Sequence, residues 1–188
     1  MAPGRLALVQ SFVNSLNVEF GPDRFATPEG YATWLARHGF PGLHPDELDR
    51  REAVALREGL RALLRENNGG PVDPAARRTV EHIAKRCPLV VALPEAGEAP
   101  LLRAAETDTR GALATVLGAM AAAVTEGSWP RLKTCHEHRC EWVYYDRSRN
   151  RGSRWCSMDV CGVRAKMRVY RDNRRQAPGQ PTPKPAAG

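Results

Sequence analysis

CHEHRCEWVYYDRSRNRGSRWCSMDVC, residues 135–161, is the stretch on which the reading of this chain turns. Its cysteines, Cys135, Cys140, Cys156 and Cys161, follow the pattern C-x4-C-x15-C-x4-C, two short pairs joined by a longer loop. That arrangement can bring four thiolates around one tetrahedral ion, and zinc accepts four sulfurs without imposing a geometry of its own. The expectation is one structural Zn2+ held by these four residues. Cys87 is distant in sequence and is not expected to be a ligand. A redox-active thiol cluster and ordinary buried cysteines are the alternatives. Iron–sulfur clusters commonly use tighter or asymmetric spacings. His136 and His138, inside the first pair, are expected to face solvent or to stand behind the sulfurs.

Outward from this stretch, the opening MAPGRLALVQSFVNSL has no small-residue cleavage signal after an apolar run. No segment reaches the roughly 18 apolar residues of a membrane helix. A cytoplasmic chain, nucleoid-associated if it binds DNA, is therefore expected. In a reducing compartment, repeated cysteine pairs more often bind metal than form disulfides. Charge separates two regions. Residues 1–127 carry 14 Arg/Lys and 16 Asp/Glu, a net −2, whereas residues 128–175 carry 13 Arg/Lys and 5 Asp/Glu, a net +8. Four zinc-bound thiolates bring the second value down to about +6. So basic a short segment suggests a polyanionic partner, nucleic acid first.

The first region reads as helix. Leu6, Leu8, Phe12, Val13, Leu16 and Phe20 recur at mixed helical spacing. Thr27-Pro28 starts a helix that presents Tyr31, Trp34 and Leu35 and ends near Gly39. Pro45-Asp46-Glu47 starts a longer one, closed by Asn67-Asn68-Gly69-Gly70-Pro71. Asp73-Pro74 opens another, which Pro88 ends. Leu89–Leu93 and Leu101–Ala105 form a small hairpin around a turn at 94–100. A last helix follows Asp108 or Thr109 and carries Leu113, Val116, Leu117, Met120 and Val124. Gly127-Ser128 is the expected boundary between a self-sufficient helical domain, 1–127, and a finger, 128–175. Residues 176–188, containing APGQPTPKPAAG, are expected to be a disordered tail.

Within the finger, Trp142, Tyr144, Tyr145 and Trp155 can cover the metal site, and Trp142–Tyr145 reads as a strand. Ser157 can cap a helix from about Met158 to Arg171. Its Val160, Val163, Met167 and Tyr170 are expected to pack inward, with Arg164, Arg168, Arg171 and Arg175 on a neighbouring face. In the loop 146–154, Arg147, Arg149 and Arg151 would point the same way along an extended strand. Arg147, Arg149, Arg151, Arg164, Arg168 and Arg171 are thus the candidate nucleic-acid contacts, on backbone more readily than on bases. The fold expected is mainly α with a small β-hairpin, the helical domain being followed by a treble-like four-cysteine zinc finger with a terminal helix.

On Cys135-x4-Cys140, Trp142, Tyr145-Asp146-Arg147-Ser148-Arg149-Asn150, Trp155-Cys156-Ser157-Met158 and Cys161-Gly162-Val163-Arg164-Ala165-Lys166, the chain resembles the CGNR zinc-finger family. Its front, LALVQSFVNSLN followed by TPEGYATWLARHG, is similar to the helical ABATE domain that commonly precedes this finger. Cys161-Gly162-Val163-Arg164 has Val where the family tetrad has Asn, and Val9-Gln10 lacks an acidic residue frequent at that place in the family. The resemblance implies a bacterial, stress-related transcription regulator.

No catalytic set is legible: His38, His44 and His82 are scattered, and neither a phosphate loop nor HExxH occurs. Four protein ligands would also leave zinc no open position for water. A non-enzymatic, zinc-dependent nucleic-acid-binding regulator acting on DNA is the first expectation. A zinc-stabilised protein adaptor with an acidic partner is the alternative, with RNA binding close behind. The helical domain could take a small-molecule effector, with Tyr31, Trp34 and His38 lining a cleft or simply belonging to the core. No membrane partner is expected.

Overall fold

A computed structural model describes residues 1–93 and 101–176; the expected turn at 94–100 and the expected tail from 177 onward lie outside the described residues. Six α-helices and two antiparallel hairpins make up the regular structure there: α1 (Leu6–Val13), α2 (Pro28–Arg37), α3 (Glu47–Glu66), α4 (Pro74–Ala84), β1 (Leu89–Ala92), β2 (Leu101–Ala104), α5 (Thr109–Thr125), β3 (Leu132–Thr134), β4 (Val143–Tyr145) and α6 (Val163–Gln176). The architecture is the mainly helical one the sequence implies, with one hairpin more than expected.

Local chemistry sets the helix starts. The Thr27 hydroxyl accepts the Gly30 amide ahead of α2, and Asp73 accepts the Ala75 and Ala76 amides ahead of α4. Asp46 and Asp49 accept each other's amides at the start of α3, while Asp108 accepts the Gly111 amide at the start of α5. Each cap satisfies donors that the first helical turn leaves free. Helix α1 ends at Val13, earlier than the apolar spacing suggested, and Phe20 is 74% exposed.

The long α3 and the alanine-rich α5 form the centre, with α1 against both and α4 along α3. At the α3–α4 crossing, a Cβ on Gly59 would lie 2.6 Å from Val80 Cγ2, so glycine permits the close approach. Phe12, Phe25, Tyr31 and Trp34 interlock at centroid distances of 4.7–5.5 Å. Tyr31 and Trp34 are buried core residues, and His38 stacks on Trp34 while its ring nitrogens meet Ser11 Oγ and the Trp34 carbonyl. Tyr31 and Trp34 thus belong to the packed core, His38 is half-buried against Trp34, and Trp34 also borders a small surface cavity of about 220 Å³.

Leu132 and Val143, one on each strand of the β3–β4 hairpin, are fully buried in the same core as α1, α3 and α5. Polar side chains stitch the hairpin to the helices. The Asn14 amide accepts from Val143 N and donates to Val143 O, both at 2.8 Å, as a neighbouring strand would. Asn67 donates to the Trp129 and Leu132 carbonyls, and Asn68 to those of Thr134 and Arg154. Arg61, wholly buried, donates to the Glu141 and Val13 carbonyls. Arg65 grips the Glu141 carboxylate with two nitrogens.

Candidate metal centre and basic surface

Antiparallel pairing of β3 with β4 fixes the first cysteine pair, because Cys135 leaves one strand and Cys140 precedes the other. The Cys135 amide donates to the Trp142 carbonyl and the Cys140 amide to that of Glu137, closing the intervening turn. The second pair starts at Cys156, whose amide donates to Cys135 Sγ at 3.5 Å. Ser157 then accepts the Val160 amide at its hydroxyl and the Cys161 amide at its carbonyl, in a short π-helical turn, Met158–Gly162, that leads into α6. Cys161 sits in that turn, just before the α-helix proper.

All four Sγ atoms lie within 4.8 Å of one another, with Cys140–Cys156 at 3.6 Å and Cys156–Cys161 at 3.7 Å. Four sulfurs at bonds of about 2.3 Å to a tetrahedral ion stand about 3.8 Å apart, so the group has the dimensions of one closed metal site. So close together, the sulfurs cannot all ionise without a cation. Hydrogen bonds from Cys140 and Cys156 hold the Cys135 thiol far below its ordinary value, and that same sharing pushes Cys156 and Cys140 up. Burial, then the Cys135 charge, pushes Cys161 up to about 12. A divalent cation would remove this conflict. Trp142 and Trp155 pack against the sulfurs. His136 and His138 are exposed and outside the group, pairing with Arg154 and Glu137 respectively, and Cys87 is buried elsewhere.

The arginine loop departs from the expected extended strand. Residues 148–151 form a turn, closed by the Arg151 amide on the Ser148 carbonyl, and Arg151 has φ +52°. Beneath it lies a buried ion pair that no local motif announces. The Lys133 ammonium donates to Asp146 Oδ2 at 2.7 Å and to the Arg151 and Ser153 carbonyls at 2.5 and 3.2 Å. Asp146 also accepts the Ser148 and Ser153 amides. Burial raises the Asp146 carboxyl, but hydrogen bonds from Lys133 and Ser148 outweigh it and hold it down at about 2. This pair fixes the loop from below and leaves Arg147, Arg149 and Arg151 exposed, Arg147 reaching the Met1 carbonyl.

Helix α6 also departs from expectation, on the question of which side meets the body. Arg168 holds the buried Glu137 carboxylate with both terminal nitrogens, at 2.6 and 3.1 Å, and Arg164 meets Glu19 at 2.5 Å. Hence the arginine row faces the molecule, along a cleft of about 390 Å³ that Arg139, Arg171 and Arg175 also line. Val160, Val163, Met167 and Tyr170, expected to pack inward, are 48–58% exposed. Val163 therefore adds nothing to the core. Arg171 reaches the carbonyl of Met167, and among the described residues no carboxylate pairs with Arg149, Arg151 or Arg171.

Of the ten proposed site residues, the structure gathers the four cysteines and places the six arginines in two groups, on the loop and on the helix. Lys133, Asp146, Glu137 and Glu19, which position those arginines, were missed; their pairing across long sequence separations has no local signature. No helix among the described residues is long and apolar enough to cross a membrane.

Two family models match the chain. One described as "CGNR zinc finger" covers residues 131–174, and one described as "Putative stress-induced transcription regulator" (ABATE) covers residues 6–127, more than half of the chain. Both describe regulatory or zinc-finger domains, neither of them catalytic. No curated protein matches it.

Proposed function

Since the chain belongs to the ABATE family and carries a CGNR zinc finger behind its helical part, we propose that it is a zinc-dependent transcription regulator that binds DNA. One observation supports this reading: the four-sulfur group is flanked by two arginine-rich elements, one entering it at Cys156 and one leaving it at Cys161. The Arg147–Arg151 turn leads from β4 towards Cys156, and α6 departs from Cys161.

Cys135, Cys140, Cys156 and Cys161 would hold one Zn2+, which supplies folding energy and fixes directions rather than chemistry, since four sulfurs leave no open coordination position. Arg147, Arg149, Arg151 and Arg171 would meet phosphates directly. Arg164 and Arg168 remain 42% and 43% exposed at their side chains while held by Glu19 and Glu137. Those carboxylates orient the guanidinium groups, whose remaining N–H donors can still reach a phosphate. Contacts of this kind set affinity and register more than sequence choice. An effector could enter the groove of about 690 Å³ between the start of α1 and α5, lined by Arg5, Leu6, Leu102 and α5 alanines.

Genome-wide crosslinking of the untagged protein, with recovered DNA and RNA both sequenced, tests the reading. Discrete DNA sites that vanish in a Cys156→Ser strain are expected. Recovery of RNA alone, or of neither nucleic acid above background, would overturn it.

A further inference from the structure

The exposed side of α6 goes beyond nucleic-acid binding. Along α6, Val163, Met167 and Tyr170 recur at steps of four and three residues, which is the apolar a/d spacing of a coiled-coil seam. Each is about half exposed, although their burial is what would ordinarily stabilise such a stripe. The seam is narrow, and both its edges are cationic. Arg171 falls at a position that flanks one side and Lys166 on the other, while Arg174 continues the line at its end; Arg164, also on the first flank, is already held by Glu19. Asp172 is the one acid of α6, and helical geometry places it on the opposite side.

We infer that this seam docks an acidic amphipathic helix of another protein, one with apolar a and d positions and Asp or Glu at the flanks. Charge complementarity selects that occupant. A second copy of α6 would set Lys166 and Arg171 against their own counterparts, and like charges at these positions oppose pairing. Nucleic acid offers the flanking cations phosphates but leaves Val163, Met167 and Tyr170 with little apolar surface to meet. A lipid surface calls for a wider apolar face than a two-column seam presents. The ion pairs Arg164–Glu19 and Arg168–Glu137 hold the neighbouring edge of the helix against the body, so the seam is presented outward before any partner arrives.

The test uses full-length, zinc-loaded protein and a displayed library of amphipathic peptides about three heptads long. Their a and d positions are apolar, and the flanking positions are randomised over Glu, Gln and Lys. Selection should enrich Glu at the flanks. Met167→Ser/Tyr170→Ser, which alters exposed residues only, should weaken the selected peptides by about tenfold or more. Lys166→Glu/Arg171→Glu should turn the preference towards Lys. Absence of enrichment would overturn the inference, and so would Glu-rich binders that survive the Met167→Ser/Tyr170→Ser change, since these would report charge alone. Seam-dependent dimerisation in sedimentation, or seam-dependent binding to phosphatidylglycerol vesicles without peptide selection, would overturn it in favour of those occupants. Loss of DNA binding in the crosslinking experiment above would leave this result untouched.

Discussion

Asp146→Asn should be among the most damaging single changes outside the cysteines. The carboxylate accepts three hydrogen bonds, from the Lys133 ammonium at 2.7 Å and from the Ser148 and Ser153 amides at 2.9 and 3.0 Å. An Asn side chain of the same shape turns an NH2 group towards one of those donors and leaves the Lys133 charge buried without its counter-charge. Removing one partner of a buried pair costs about 3–5 kcal/mol. The Arg151 and Ser153 carbonyls stay with Lys133 and place the expected loss near the lower end, about 3 kcal/mol. That is a large share of the stability of a typical domain, whereas an exposed pair such as Arg51–Glu47, screened by solvent, contributes little. Urea unfolding of the zinc-loaded protein at neutral pH measures it. Asp146→Asn and Lys133→Met should each be strongly destabilising. The double variant should lose clearly less than their sum, because no unpaired charge then remains. Losses below about 1 kcal/mol, or simple additivity, would refute the argument. The sign with pH is fixed. The folded carboxyl is held at about 2, below its ordinary range, so its stabilisation is complete above about pH 4 and disappears as pH falls towards 2. Thiolate protonation releases metal on the way down, which is why the cycle belongs at neutral pH.

Native mass spectrometry should find one zinc per chain, retained in Cys87→Ser and released by Cys156→Ser; amide exchange in the latter should rise more in 132–162 than in α3. Ending the chain at Gly127 removes Leu132 and Val143 from the shared core, at about 1.5–3 kcal/mol each. Circular dichroism should then show retained helix with a clearly lower unfolding midpoint, and an unchanged midpoint would mean that the hairpin contributes nothing to that core. Arg168→Ala should loosen α6 by freeing the buried Glu137 carboxylate, whereas Arg149→Ala should leave stability untouched; hydrogen exchange along α6 separates the two.

Much of this fold is legible in the sequence because its signals are local. Thr27-Pro28, Asp46, Asp73-Pro74 and Asp108 cap the helices they precede, and the cysteine spacing alone describes the four-sulfur group. What is not legible depends on distant partners. Strand β3 is three residues long, Leu132-Lys133-Thr134, and gains its place from pairing with β4 and from Asn67 and Asn68, which lie far away in sequence. Lys133 looks like a surface lysine until Asp146 is brought beneath the loop. The amphipathic pattern of α6 is plain, yet amphipathicity alone does not say which face meets the body. Glu137, buried in the first knuckle, and Glu19, after α1, draw in the arginine edge and leave the apolar edge outside. Sequence pattern supplied the faces, and ion pairs chose between them.

Fluorescence titration of random-sequence duplex DNA at several salt concentrations tests the central claim most directly, with the zinc-loaded protein and its Arg149→Ala/Arg171→Ala variant compared. Each phosphate contact contributes about −0.9 to the slope of log affinity against log salt, so six arginines set a ceiling of about −5. The account predicts a slope steeper than about −2 for the native protein, and a variant slope shallower by about two units with zinc and fold retained. No measurable binding, or a variant with unchanged affinity and slope, would contradict it.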